Sequence, residues 1–178
     1  MNELKIDWLK ENCQMIHYFG LGFIQVKLKD GRRMHFYTEA LPPITPEEDI
    51  HNHRYDFTSK ILSGDFQQEL FHIVEGDTHL REQETCKEGV CADAPATPCS
   101  IALASRHIYH AGCQYFISHE TFHRVKSLYQ TITLIERSDY KKKLAEVIRP
   151  VGSQKVCPFS QKVKEEELWD IIHWMLVL

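Results

Sequence analysis

His51 and His53 stand two residues apart at the head of the run His51–Gly64, HNHRYDFTSKILSG. In an extended strand, residues i and i+2 share a face, so both imidazoles aim at one point. A β-scaffold begins a metal site in this way, because imidazole nitrogen suits divalent transition ions. A third ligand has to come from another segment, and Thr121-Phe122-His123-Arg124-Val125 offers one. Without an ion, two inward histidines need hydrogen-bond partners to offset desolvation.

The elements that must hold these histidines read as β-rich, with a helix near each end. Asn2 can cap a short helix from Glu3 to about Gln14. His17 to Leu28 reads as a strand, Lys29-Asp30-Gly31-Arg32 as a hairpin turn, and Arg33 to Thr38 as the return. Pro42-Pro43 and Pro46 mark a loop. Strands are expected at His51–Leu62 and Phe66–Val74, then at Thr78–Cys86 after a turn at Glu75-Gly76-Asp77. The polar segment Cys86–Cys99 reads as a surface loop. Further strands are expected at Ser100–Ala104, Gln114–Ser118, Phe122–Ser127 and Gln130–Glu136. Lys141–Ile148 suits a short helix or strand, and Pro150–Ser160 a linker. Gln161–Leu178 carries the spacing of an amphipathic helix. On the strand from His51, the residues Asn52, Arg54, Asp56, Thr58 and Lys60 are all polar. The other set, His51, His53, Tyr55, Phe57 and Ser59, is therefore expected to face inward.

Composition narrows the class. The chain has 178 residues, 43% apolar and 26% charged, ordinary values for one globular domain. A formal net charge of −4 argues against general nucleic-acid binding, which wants a basic face. No apolar run approaches 18 residues, so no membrane span is expected, and MNELKIDWLK lacks the apolar region of a secretory signal. The expectation is a cytoplasmic protein with its six cysteines reduced. Cys86, Cys91 and Cys99 lack the C-x2-C spacing of structural zinc sites.

Many short strands at close spacing suggest a sandwich or barrel, and the motifs resemble the cupin superfamily, the double-stranded β-helix or jelly-roll proteins. The first cupin motif has the form G-x5-H-x-H-x3-E-x6-G. Here His51, His53 and Gly64 fall in register, Thr45 stands for the first glycine and Phe57 for the glutamate. The second has the form G-x5-P-x-G-x2-H-x3-N. Gly112 and His123 match, while Ser118, Glu120 and Ser127 replace the proline, second glycine and asparagine. The resemblance covers roughly residues 45–127. The run H-x-H-x3-F-x-S-x2-L-x-G, the later His123-Arg124-Val125 and Thr131-Ile132-Thr133-Leu134 are also similar to a bacterial branch near cysteine dioxygenase-type proteins.

The resemblance implies a mainly β chain. It implies one cupin jelly-roll barrel domain over 1–178, with its core at about 17–140, a short N-terminal helix, and a C-terminal helical extension at about 161–178. It also implies His51, His53 and His123 as ligands of a divalent transition metal. Phe57 removes the usual carboxylate ligand. Three neutral histidines holding Fe(II) resemble thiol dioxygenases, although Zn(II), Ni(II) or Mn(II) would fit similar donors. Tyr55 would position substrate, and Glu69 could supply a carboxylate near the metal. Arg106 could face the cavity, whereas Arg124 should point away from His123. His107 and His110 read as surface residues. The expected partner is a small molecule, with no nucleic acid and no membrane, and the C-terminal helix could pack on the barrel or make a homodimer contact. Three functions remain open: an oxygen-using metalloenzyme; a non-redox isomerase, hydrolase or lyase of a carbonyl or sugar-like substrate; and a non-catalytic small-molecule-binding module.

Overall fold

The computed structural model describes residues 4–41, 43, 50–87, 90–92, 94–128, 130–153, 156–159 and 161–177. The expected Asn2 cap and most of the proline-marked loop lie outside them. In chain order the elements are α1 (Ile6–Asn12), β1 (Cys13–Phe19), β2 (Phe23–Leu28), β3 (Arg33–Tyr37), β4 (Ile50–His51), β5 (Phe57–Ser63) and β6 (Asp65–Gln83). After them come β7 (Cys86–Lys87), β8 (Val90–Cys91), β9 (Ala96–His110), β10 (Gln114–Ile117), β11 (Phe122–Ser127), β12 (Thr131–Arg137), β13 (Glu146–Pro150) and α2 (Glu165–Val177). The chain is mainly β, as expected. One antiparallel sheet has the order β1-β2-β3-β12-β5-β10 and a second has β11-β4-β13-β6-β9, with β11 also paired to β6.

Period-two alternation gives the first sheet two unlike faces. Ile24, Val26, Met34, Phe36, Ile132 and Leu134 form an aliphatic face, which α2 covers with Leu168, Trp169, Ile172 and Met175 while α1 adds Leu9. Each fully buried aliphatic chain there stabilises the docked helix by about 1.5–3 kcal/mol. The opposite face carries His17, Gln25 and His35, neighbours in register across β1, β2 and β3, followed by Thr133 on β12. That polar row looks into the space between the sheets.

The hairpin at 29–32 forms as its residues dictate: Leu28 N–H donates to the Arg32 carbonyl, and Gly31 takes φ 90°. Four local expectations change. The span His17–Leu28 is two strands, because Gly20, Leu21 and Gly22 make a turn in which Gly22 N–H donates to the Phe19 carbonyl. His51–Leu62 is not one strand either; pairing stops after His51 and resumes at Phe57. Glu75-Gly76-Asp77 is no turn. β6 runs through it, and β9 follows alongside with a register irregularity between Val74 and His79. The segment read as a loop up to Cys99 contains the small β7–β8 hairpin, and β9 already begins at Ala96.

Gly64 ends β5 at φ 79° in a space no side chain fits. A Cβ there would stand 2.2 Å from the Gln130 carbonyl oxygen and 2.7 Å from Thr131 Oγ1. The close approach draws β5 and β12 together and fixes the direction in which β6 leaves.

Candidate metal centre

Two of the three histidines are brought together by strand register alone. His51 on β4 is the antiparallel partner of His123 on β11. His53 follows in the irregular stretch between β4 and β5, and Asn52 fixes that stretch. Asn52 is buried, its backbone N–H donates to the Glu146 carbonyl (3.0 Å) and its Nδ2 to Glu146 Oε2 (2.9 Å). In return Glu146 N–H donates to Asn52 Oδ1 at 2.8 Å. Three bonds thus pin the residue between the two histidines to β13. Burial works against the Glu146 carboxylate, but hydrogen bonds from Asn52 and Arg81 outweigh it and hold its pKa below the usual range.

One ligand atom from each of His51, His53 and His123 lies within 4.8 Å of the other two. The ring centroids form a near-equilateral triangle with sides of 4.9, 4.8 and 5.0 Å. His53 Nε2 and His123 Nε2 approach to 2.8 Å. Two nitrogens each ~2.1 Å from one ion and at right angles would stand about 3.0 Å apart, so the pair is already near ligand spacing. Burial, and then the neighbouring His51, push the pKa of both His53 and His123 well below the ordinary imidazole value. Both rings are therefore neutral near pH 7, the form that offers a lone pair.

Gln68 Nε2 lies 3.4 Å from His123 Nδ1. With its amide turned, the Gln68 oxygen accepts an Nδ1–H and leaves Nε2 free to bind an ion, the outer contact typical of metal-bound histidine. Phe57, in the position of the motif's glutamate, sets its ring edge-on to His53 at 4.8 Å and 6.0 Å from His123. It supplies apolar packing where a carboxylate would have added charge. This donor set of three imidazoles, two of them held neutral by burial, suits a divalent transition ion.

The triangle lies on the wall of a cavity of ≈ 680 Å³. The expected inward set His51, His53, Tyr55, Phe57 and Ser59 all line it, despite the broken strand. Asn52 and Arg54 depart from the expected outward set: both line the cavity as well, and Asn52 is buried and carries the contacts above. Tyr55 lies beside the triangle, its ring 5.6 Å from that of His53, and Arg33 Nη1 donates to its hydroxyl at 2.8 Å. Burial raises the Tyr55 pKa against the opposing pull of Arg33, so the phenol keeps its proton.

Glu69 is engaged elsewhere. Its Oε1 accepts from Arg106 Nε at 2.7 Å and its Oε2 from Arg124 Nε at 2.8 Å. Burial opposes the Glu69 charge, but the hydrogen bonds from Arg124 and Arg106 hold its pKa below the usual range. The carboxylate expected near the ion is committed to two guanidiniums, and Arg106 is turned to that carboxylate rather than to the cavity. Arg124 makes the salt bridge with Glu69 and also lines the cavity, so it does not point wholly away from His123's side as its parity predicts. His107 and His110 are exposed, bonded to Ser105 and Asp65.

Sequence reasoning missed Arg33, His35 and Gln25, which all line the cavity. The signal was present in Arg33-Met34-His35-Phe36-Tyr37, where aliphatic and aromatic residues at even positions alternate with polar ones. His35 Nε2 meets Gln25 Nε2 at 2.9 Å, and burial, aided by the charge on Arg33, pushes the His35 pKa down to about 3. No protein-family model matches the chain, and no curated protein matches it.

Proposed function

We propose that this chain is a cupin metalloenzyme acting on a small molecule, with oxygen-dependent oxidation of a thiol-type substrate as its reaction class. The observation that carries the reading is the convergence of three imidazoles, two of them held neutral by burial, on the wall of a cavity. The two-sheet β architecture and the order of the two histidine motifs support assignment to the cupin jelly rolls. An ion held by three neutral ligands keeps its full positive charge and leaves coordination positions open for a substrate donor atom and for dioxygen.

The chain's own residues do the rest. Phe57 and the surrounding aromatic wall exclude water from the inner side of the histidines. Tyr55, protonated and oriented by Arg33, offers a hydrogen bond to the organic part of the substrate.

Metal analysis of protein purified without an affinity tag, joined to oxygen-electrode assays with small thiols, tests this. Close to one iron per chain and thiol-dependent oxygen uptake are expected. Zinc or nickel at full occupancy, with no oxygen uptake, would replace the redox reading by Lewis-acid chemistry. A folded chain that retains no transition ion would remove both.

A further inference from the structure

Beside the histidines, where β2, β3 and β12 carry Lys27, Arg33 and Arg137, cationic groups accumulate, and Arg33 and Arg54 line the cavity itself. Arg33 and Arg137 lie over the Tyr55 ring at 5.1 and 5.6 Å. Arg137 and Arg54 lie over the Tyr140 ring at 5.0 and 4.3 Å. The two phenol rings are 5.9 Å apart. The result is an alternating ladder of three guanidiniums and two rings, with Lys27 beside it.

These four cations have no carboxylate partner among the described residues. Lys27 Nζ reaches only the Met15 sulfur, at 3.6 Å. Arg33 gives Nη1 to the Tyr55 hydroxyl, and Arg137 gives Nη1 to the Ser138 carbonyl at 3.3 Å. Arg137 Nε is buried with no partner. Asp56, two residues along from Arg54, is taken by the backbone and ring of His119, both at 2.7 Å. Burial and then the charges of Arg33, Arg54 and Arg137 depress the Lys27 pKa, which places all four within one another's field.

Stacking on tyrosine faces orients guanidiniums but leaves their in-plane N–H donors unused. Four like charges held this close are mutually destabilising unless an anion joins them. A carboxylate would neutralise one of them, whereas a phosphate dianion brings two charges and several acceptor oxygens.

We propose that Lys27, Arg33, Arg54 and Arg137, ordered by Tyr55 and Tyr140, form a binding site for a phosphate group. Tyr55 joins this site to the histidine triangle, because its hydroxyl accepts from Arg33 and its ring lies against His53. A phosphate ester held there lays its organic part along the cavity toward His53; this last point alone rests on the metal-centre reading.

Calorimetric titration of chelator-treated, metal-free protein at low ionic strength tests the site apart from any ion. The probes are inorganic phosphate, glycerol phosphate and acetate. One saturable phosphate site is expected, with acetate at least tenfold weaker. Arg137→Gln and Arg33→Met should each weaken phosphate at least tenfold, while Arg106→Gln, outside the ladder, should leave it unchanged. If Arg137→Gln fails to melt cooperatively, Lys27→Gln at the half-buried rim gives the same reading. Glycerol phosphate binding tighter than inorganic phosphate would assign the site to a phosphorylated substrate, and equal binding to the free ion. Either ranking supports the site. No saturable binding to folded protein, acetate as tight as phosphate, or undiminished binding in the ladder variants would overturn it. Because the titration uses metal-free protein, such a failure leaves the metal analysis standing.

Discussion

Acid should unfold this protein through His35 before its carboxylates titrate. The ring is buried on the inner face, its Nε2 at Gln25, and burial with the charge of Arg33 sets its folded pKa at about 3. The unfolded imidazole takes up its proton near 6.5. Between those values the unfolded chain binds one more proton than the folded chain, so stability is full above about pH 6.5 and falls as pH drops toward 3. The slope is about 1.36 kcal/mol per pH unit, so His35 alone costs about 2 kcal/mol at pH 5. That is a large share of a typical margin of about 5–15 kcal/mol. His17, pushed to about 4 by burial and then Lys27 and Arg33, and the lowered His53 and His123 act in the same direction. Urea unfolding of metal-free protein at pH 7, 6 and 5 measures the total, and His35→Gln isolates one proton. The variant should lose about 1.36 kcal/mol per pH unit of slope below pH 6. An unchanged slope in His35→Gln, or stability that rises on acidification, would show that His35 is not held neutral by burial.

Three further outcomes are expected. His51→Ala, His53→Ala and His123→Ala should each drop bound metal well below one per chain with the fold retained by circular dichroism; full metal in any of them removes that residue from the ligand set. Asn52→Ala should weaken metal binding by about 10–100-fold in competition with a chromophoric chelator, because it frees the backbone between two ligands. Gly64→Ala should destabilise by more than about 1–3 kcal/mol, read from thermal melts, since it combines a positive φ with a carbonyl 2.2 Å from the new Cβ.

The histidine triad was legible because it obeys two local rules, strand parity between His51 and His53 and motif spacing to His123. The inward set was right although the single strand was not; where the strand breaks, Asn52 and Arg54 of the opposite parity line the cavity too. Asn52 escaped because an asparagine beside two histidines reads as surface, and only pairing with Glu146, distant in sequence, makes it structural. Gly76 misled for a related reason. Between Glu75 and Asp77 it signals a turn, yet the glycine serves close approach, since a Cβ there would meet Ser100 Oγ at 2.1 Å. Glu69 was ambiguous by parity, and the two arginines that claim it come from separate strands. The cationic ladder draws on Lys27, Arg33, Arg54, Arg137 and two tyrosines, a gathering that no local window displays.

The three imidazoles do not share one kind of support. His51 and His123 face each other across a hydrogen-bonded strand pair, whereas His53 lies beyond it, on the stretch that Asn52 ties to Glu146. Two corners of the triangle are set by strand register and the third by the bonds of Asn52 to one glutamate. A substitution of Glu146, nearly a hundred residues along the chain, would then displace one corner and leave the other two in place, so affinity for an ion would fall while both sheets stay intact.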